Sequence, residues 1–317
     1  MTSRVIIDTD PGVDDAMAIQ MALASPELDI VGLTTIFGNA PTDVTTGNAL
    51  RLLEVGGRSD IPVVAGRTDP IASDYLGPVP QVHGEDGLGD GGVGPSSVEP
   101  SGGDAAAFMH QTVSAAPGEV TILTLGPLTN VADALQRFPD LADLVDRVVV
   151  MGGNALVPGN ATPVAEANIN NDPEAADLVF GAGWPVTMVG LDVTHQVNLT
   201  GAAIDRITGH DSAGSRLLAA ALPTYRNFFE TTNGIDGIYV HDPSTVAYLV
   251  EPEAFTTNAW PVRVETESFS RGKTWPNLGD TDEAAPPPWQ GRPLVDVCTG
   301  VDADRVLHLV EERLSSV

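Results

Sequence analysis

The chain has 317 residues and a single cysteine, Cys298. One thiol excludes an intramolecular disulfide and any cysteine-rich metal centre. Positive charge is almost as scarce: 15 Lys and Arg stand against 43 Asp and Glu, for a net charge of -28. Such a field repels a nucleic-acid backbone and an anionic membrane surface. The acids are dispersed along the chain, so they read as a solubility feature before they read as a docking face for a basic partner. No apolar run approaches the ~18 residues of a membrane span. No basic segment followed by an apolar stretch precedes the first strand pattern. These absences lead to the expectation of a cytoplasmic protein that binds neither nucleic acid nor membrane. Hydrophobic residues make up 42% of the chain, enough for a substantial core.

The apolar residues fall in strand-length runs alternating with helical patterns. Strands are predicted at 4–7, 30–37, 61–64, 120–125, 147–151, 186–189 and 294–297, and helices at 16–24, 44–55, 128–137, 173–180 and 302–314. Continuous apolar strands separated by helices predict an α/β fold. Its open, mainly parallel, Rossmann-like sheet would carry helices on both faces and place its site at the carboxyl ends of the strands. Two long stretches, 67–104 and 268–293, are rich in Gly, Pro, Ser and Asp. Loops of that length are uncommon within a domain. Strand–helix units continue on both sides of each, so residues 1–317 are expected to form one domain.

The first strand pattern ends in an acid cluster. Asp8, Asp10, Asp14 and Asp15 fall within eight residues, around Pro11-Gly12. Like charges repel by about 1 kcal/mol per pair at 4 Å in water, and by more where water is excluded. The cluster therefore asks for a cation. Ca²⁺ suits such a site because it takes six to eight oxygen ligands. A distant acid, Asp242, lies in His241-Asp242-Pro243. The plainer reading of Asp242 is a helix N-cap ahead of proline. For Asp14 it is a charge favoured by a helix N-terminus. Other polar residues also follow predicted strands: Gly38-Asn39, Gly126 to Asn130, Gly152-Gly153-Asn154 and Asp192. Five such placements on one rim predict a polar crater. A further cluster, Asn160, Glu166, Asn168, Asn170 and Asn171, offers donors and acceptors suited to sugar hydroxyls, while Asp172 reads as a cap before Pro173. His83, His195 and His241 are acid–base candidates, although isolated histidines are usually structural. His308 reads as a surface or packed residue.

Together these motifs resemble the inosine–uridine preferring nucleoside hydrolases. The resemblance runs through Asp8-Thr9-Asp10-Pro11-Gly12-Val13-Asp14-Asp15, Gly38-Asn39, His83-Gly84, Leu125 to Asn130, Met151-Gly152-Gly153, Glu166-Ala167-Asn168, Asp172 to Ala176 and Val240-His241-Asp242-Pro243. It implies a Ca²⁺-dependent enzyme that cuts ribonucleosides into ribose and free base, as a homodimer or homotetramer. Carried over by position, Asp10, Asp15, Asp242 and the Leu125 carbonyl would hold the metal. Asp10 would also be general base toward a metal-bound water. Asp14, Asn39 and Asn168 would hold ribose hydroxyls, and Asn160, Glu166 and Met151 the 5′ end. His241 would assist departure of the base, His83 would line the base pocket, and Asp8 would support the motif. The chain departs from several family members at Ala167, where they carry an aromatic residue. The segment 231–237, where the family varies its base contacts, has no aromatic side chain, though Tyr225, Phe228, Phe229 and Tyr239 flank it. A weak stacking platform there favours pyrimidine or broad specificity. Two alternatives stand beside this reading. A haloacid-dehalogenase-like phosphohydrolase also places Asp-x-Asp after its first strand, but needs a later lysine; the one lysine here is Lys273. A non-catalytic ribose- or nucleoside-binding protein would keep the same cradle.

Overall fold

The computed structural model describes residues 2–279 and 286–317. Part of the predicted 268–293 loop, residues 280–285, lies outside the described residues. The strands in chain order are β1 (Ser3–Thr9), β2 (Leu28–Thr35), β3 (Val63–Ala65), β4 (Val120–Thr124), β5 (Arg147–Met151), β6 (Val186–Val189), β7 (Asn198–Leu199), β8 (Ile238–Tyr239), β9 (Phe255–Val264), β10 (Thr274–Pro276) and β11 (Leu294–Val301). Nine of them form one sheet in the order β10-β9-β11-β6-β5-β4-β1-β2-β3, while β7 and β8 pair separately.

Every pairing from β11 to β3 is parallel; only β9 runs against its neighbours. A β-strand sends alternate side chains to opposite faces, and here both faces are buried. Val5 and Ile7 of β1 enter one core and Ile6 the other; Val149 and Met151 of β5 oppose Val148 and Val150 in the same way. One core is covered by the helices Val13–Leu23, Thr42–Val55, Ala213–Asn233, His241–Val250 and Ala303–Leu314. The other is covered by Ala105–Ala115, Thr129–Arg137 and Pro173–Phe180. The predicted mainly parallel α/β sheet is therefore present, with an antiparallel strand added near one edge.

Strand order reverses at β1. The chain moves outward from β1 to β2 and β3, then returns to β4 on the other side of β1. Such a switch point opens a crevice beyond the carboxyl ends of the two strands. Asp10 leaves β1 into that crevice, and Leu125 leaves β4 beside it. Among the described residues, no helix is long and apolar enough to cross a membrane.

Candidate active site

Asp10 is buried where the turns after β2 and β4 close on its carboxylate. The Asn39 N–H donates to Oδ2 at 2.7 Å. A Cβ added to Gly38 would lie 2.0 Å from Oδ2, and one added to Gly126 would lie 2.4 Å from Oδ1. Only glycine at both positions leaves the carboxylate room. Oδ1 has no hydrogen-bond partner among the described residues.

The helix Val13–Leu23 begins directly after the Pro11-Gly12 turn, which brings Asp14 and Asp15 into its first turn. Asp15 accepts from Thr9 Oγ1 at 2.5 Å, from the Gly12 N–H at 2.9 Å and from Asn39 Nδ2 at 3.0 Å. Asp14 Oδ2 accepts from the Tyr225 hydroxyl at 3.0 Å, and its Oδ1 is buried without a partner among the described residues. Asp242 arrives from 227 residues later in the chain. It is not the N-cap that the plainer reading expected: Val240 occupies that position, and Asp242 lies inside the first turn of His241–Val250. Oxygens of Asp14, Asp15 and Asp242 all lie within 4.8 Å of one another. Asp10 stands outside that trio, but its charge acts on Asp242.

Burial raises all four carboxyl groups, and repulsion between acids adds to it at Asp10, Asp15 and Asp242. Asp10 lies well above the ordinary range because of burial, then Asp15; Asp242 does so because of burial, then Asp14 and Asp15. Burial lifts Asp14 to about 6, and burial with the Asp14 charge lifts Asp15 to about 6. Clustered carboxylates with unpartnered buried oxygens fit a hard, oxygen-seeking cation. Asp8 takes no place in the cluster. Its Oδ1 accepts from Thr34 Oγ1 at 2.6 Å and from Asn130 Nδ2 at 2.8 Å, which ties β1 to β2 and to the helix Thr129–Arg137.

Above this floor lies a cavity of about 560 Å³. Asn168 crosses one wall: its Nδ2 donates to the Leu125 carbonyl at 2.6 Å and to the Met151 carbonyl at 3.1 Å. That arrangement leaves its Oδ1 available. Glu166 caps the helix Ala167–Asn171 and receives N–H bonds from Gly153 at 3.0 Å, Asn168 at 2.9 Å and Ile169 at 3.1 Å. Asn160 accepts from the Ala167 N–H at 3.0 Å. Asp172 is the helix cap the sequence suggested, bonding the Ala175 N–H at 3.0 Å. Lys273 stands apart from the carboxylates and donates to the Asn154 and Ala155 carbonyls.

The other end of the cavity is aromatic. His83 accepts from the Val13 N–H at 3.1 Å, and its ring lies 5.4 Å from that of Tyr225. Tyr225, Phe228 and Phe229 reach the cavity from the long helix Ala213–Asn233, and His195 and His241 close it. His195 packs on Tyr239 at 4.7 Å and meets the His241 ring at 5.5 Å. Burial pushes His83 down to about 4 and His241 to about 3, so both imidazoles rest neutral. Three of the aromatic residues that flank segment 231–237, Tyr225, Phe228 and Phe229, line the cavity. Segment 231–237 contributes Thr232 and Asn233 to the lining, and the aromatic faces come from earlier turns of the same helix. The catalytic, substrate-binding and metal residues expected from the sequence lie in the acid cluster or on the cavity wall, with Asp8 beneath it; Asn130, Asn154 and Asp192, expected on the same polar rim, do not line the cavity and bond to neighbouring segments instead. The sequence reading missed the role of Tyr225 as a partner of Asp14 and the contribution of Leu76, Val79 and Gln81 to the rim. A helical spacing of Tyr225, Phe228 and Phe229 was the available signal.

Comparison with known proteins follows the same outline. The family model described as inosine-uridine preferring nucleoside hydrolase matches residues 5–308. The chain is 43% identical over 314 residues to a probable uridine nucleosidase 2 of Arabidopsis thaliana, covering 98% of this chain and 97% of the relative. It is 41% identical over 316 residues to the pyrimidine-specific ribonucleoside hydrolase RihA of Salmonella gallinarum, covering 99% of each. A solved plant nucleoside hydrolase, PpNRh1, superposes with a TM-score of 0.97 at 42% identity over 100% of both chains. The chain belongs to the inosine-uridine preferring nucleoside hydrolase family and is a nucleoside hydrolase.

Proposed function

We propose that this enzyme is a Ca²⁺-dependent pyrimidine ribonucleoside hydrolase, and that Asp10 and His241 serve opposite sides of the N-glycosidic bond. The observation that carries the reading is the convergence of Asp14, Asp15 and Asp242, with Asp10 beside them, on the floor of a cavity whose far end is aromatic. Asp10, Asp15, Asp242 and the Leu125 carbonyl would hold Ca²⁺. When bound, the ion supplies charge neutralisation and polarises an oxygen ligand.

The chain's own residues do the rest. Asn39 fixes one oxygen of Asp10, and the other, without a partner among the described residues, accepts a proton from the attacking water. Burial and the Asp15 charge hold Asp10 above the usual carboxylate range, and a cation beside it would favour the ionised form. The free oxygens of Asp14 and Asn168 orient ribose hydroxyls, and Asn160 and Glu166 border the 5′ end. Glycoside cleavage builds positive charge on the sugar ring, which a wall of carboxylate and amide oxygens stabilises in place. The leaving base gains negative charge, and the neutral His241 imidazole donates a hydrogen bond to it. Acid–base help of this kind contributes on the order of 10²–10⁴ in rate.

The pyrimidine preference draws support from relatives named as uridine nucleosidase and pyrimidine-specific hydrolase at about 40% identity. Its test is kcat/KM for uridine, cytidine, inosine and adenosine, with released ribose measured directly. Uridine or cytidine should lead; inosine ahead of both would overturn the base assignment, and no ribose from any of the four would overturn the activity.

A further inference from the structure

We propose that Thr194 is a positioning residue for the leaving base: its hydroxyl fixes His241 in the tautomer that carries its proton on Nε2. The inference rests on the assignment of His241 given above and adds to it the group that makes the imidazole a donor. Thr194 and His241 lie 47 residues apart in sequence, yet Thr194 Oγ1 meets His241 Nδ1 at 2.8 Å. Thr194 is fully buried, and His241 is 6% exposed and lines the cavity.

Two arrangements of protons fit that distance. In one, Nδ1–H donates to the threonine oxygen, and the hydroxyl hydrogen must find another acceptor. Among the described residues, Thr194 Oγ1 makes no other hydrogen bond. That arrangement would strand a buried donor, which is costly. In the other, the hydroxyl donates to Nδ1 and both groups are satisfied. The proton then sits on Nε2, the ring nitrogen without a protein partner among the described residues. The partner on one ring nitrogen thus decides what the other can do.

Thr194 is itself held firmly. It ends the short helix Leu191–Thr194 that follows β6, and its N–H bonds the Gly190 carbonyl at 3.1 Å. Asp192 on the same helix accepts the N–H groups of Ala155 and Leu156, each at 2.7 Å, which fastens the helix to the loop after β5. A β-branched side chain adds stiffness about χ1. The groups around the imidazole are His195 at 5.5 Å, Tyr239 at 6.1 Å and Phe229 at 6.2 Å between ring centroids. None is a hydrogen-bond partner of Nδ1, so the orienting duty falls on the threonine.

The test uses the Ca²⁺-loaded enzyme and two substrates: uridine, whose base needs a donor, and p-nitrophenyl riboside, whose leaving group does not. Thr194→Val should lower kcat for uridine about tenfold, a part of the ~10²–10⁴ available to acid–base assistance. Its KM, and kcat for p-nitrophenyl riboside, should stay within about twofold. Thr194→Ser should restore most of the uridine rate. Equal losses on both substrates, or an unchanged uridine rate, would overturn the proposal. His241→Ala, run in parallel, tests the underlying reading: equal losses on both substrates in that variant would remove His241 from base departure. ¹⁵N NMR of histidine-labelled wild-type protein tests the tautomer without any variant. A proton on Nε2 of His241 is expected, and a proton on Nδ1 would overturn the proposal whatever the kinetics.

Discussion

The two ends of the cavity are built differently. The acidic end is held by hydrogen bonds between neighbours at the switch point of the sheet. Asp10 is fixed by Asn39, Asp15 by Thr9 and Gly12, and Asn168 by two carbonyls. The aromatic end is assembled from a loop, the long helix Ala213–Asn233 and two histidines, held largely by ring contacts at 4.7–6.2 Å. Directional bonds fix atoms to within fractions of an ångström, while ring packing tolerates exchange of one apolar face for another. One end can therefore hold its geometry while the other exchanges one apolar face for another.

Four substitutions sharpen or break that contrast. Asp10→Asn keeps the shape and removes the proton acceptor; ribose release from uridine should fall by on the order of 10²–10⁴. A loss below tenfold would place the base elsewhere. Phe229→Ala opens a void at the aromatic end, where Phe229 is 6% exposed. Stability should drop by about 3–5 kcal/mol in urea unfolding, and nucleoside KM should rise more than the inhibition constant of free ribose. Equal changes in the two would mean that the ends are not independent. Tyr225→Phe cuts a hydrogen bond between the ends, from Tyr225 to Asp14. The expected cost is about 1 kcal/mol, near fivefold in KM for uridine, and no change would show that Asp14 needs no anchor. Leu76→Ala, at an exposed rim position, should change stability by less than about 0.5 kcal/mol; a larger shift in Tm would give the rim a packing role.

The same division explains what the sequence disclosed. β5 and β6 have the predicted bounds, because continuous Val-rich runs buried on both faces admit little else. The acid cluster was legible because its members are adjacent, and Asp242 because it sits in a distinctive His-Asp-Pro string. The helix Ala213–Asn233 was not, since Pro223 lies inside it and proline normally ends a helical pattern. β9 was hidden by its exposed Thr256, Thr257 and Asn258 and by Pro261, features of a strand outside the parallel core. The pairing of Thr194 with His241 has no sequence signal at all, because only the fold brings residues 47 apart into contact.

The central claim is that the buried carboxylates work only around a cation. Ribose release from uridine, measured on protein stripped with a chelator and then titrated with Ca²⁺, tests it most directly. The account predicts no turnover in the stripped enzyme and full recovery as Ca²⁺ is restored. Undiminished turnover after complete stripping would contradict it.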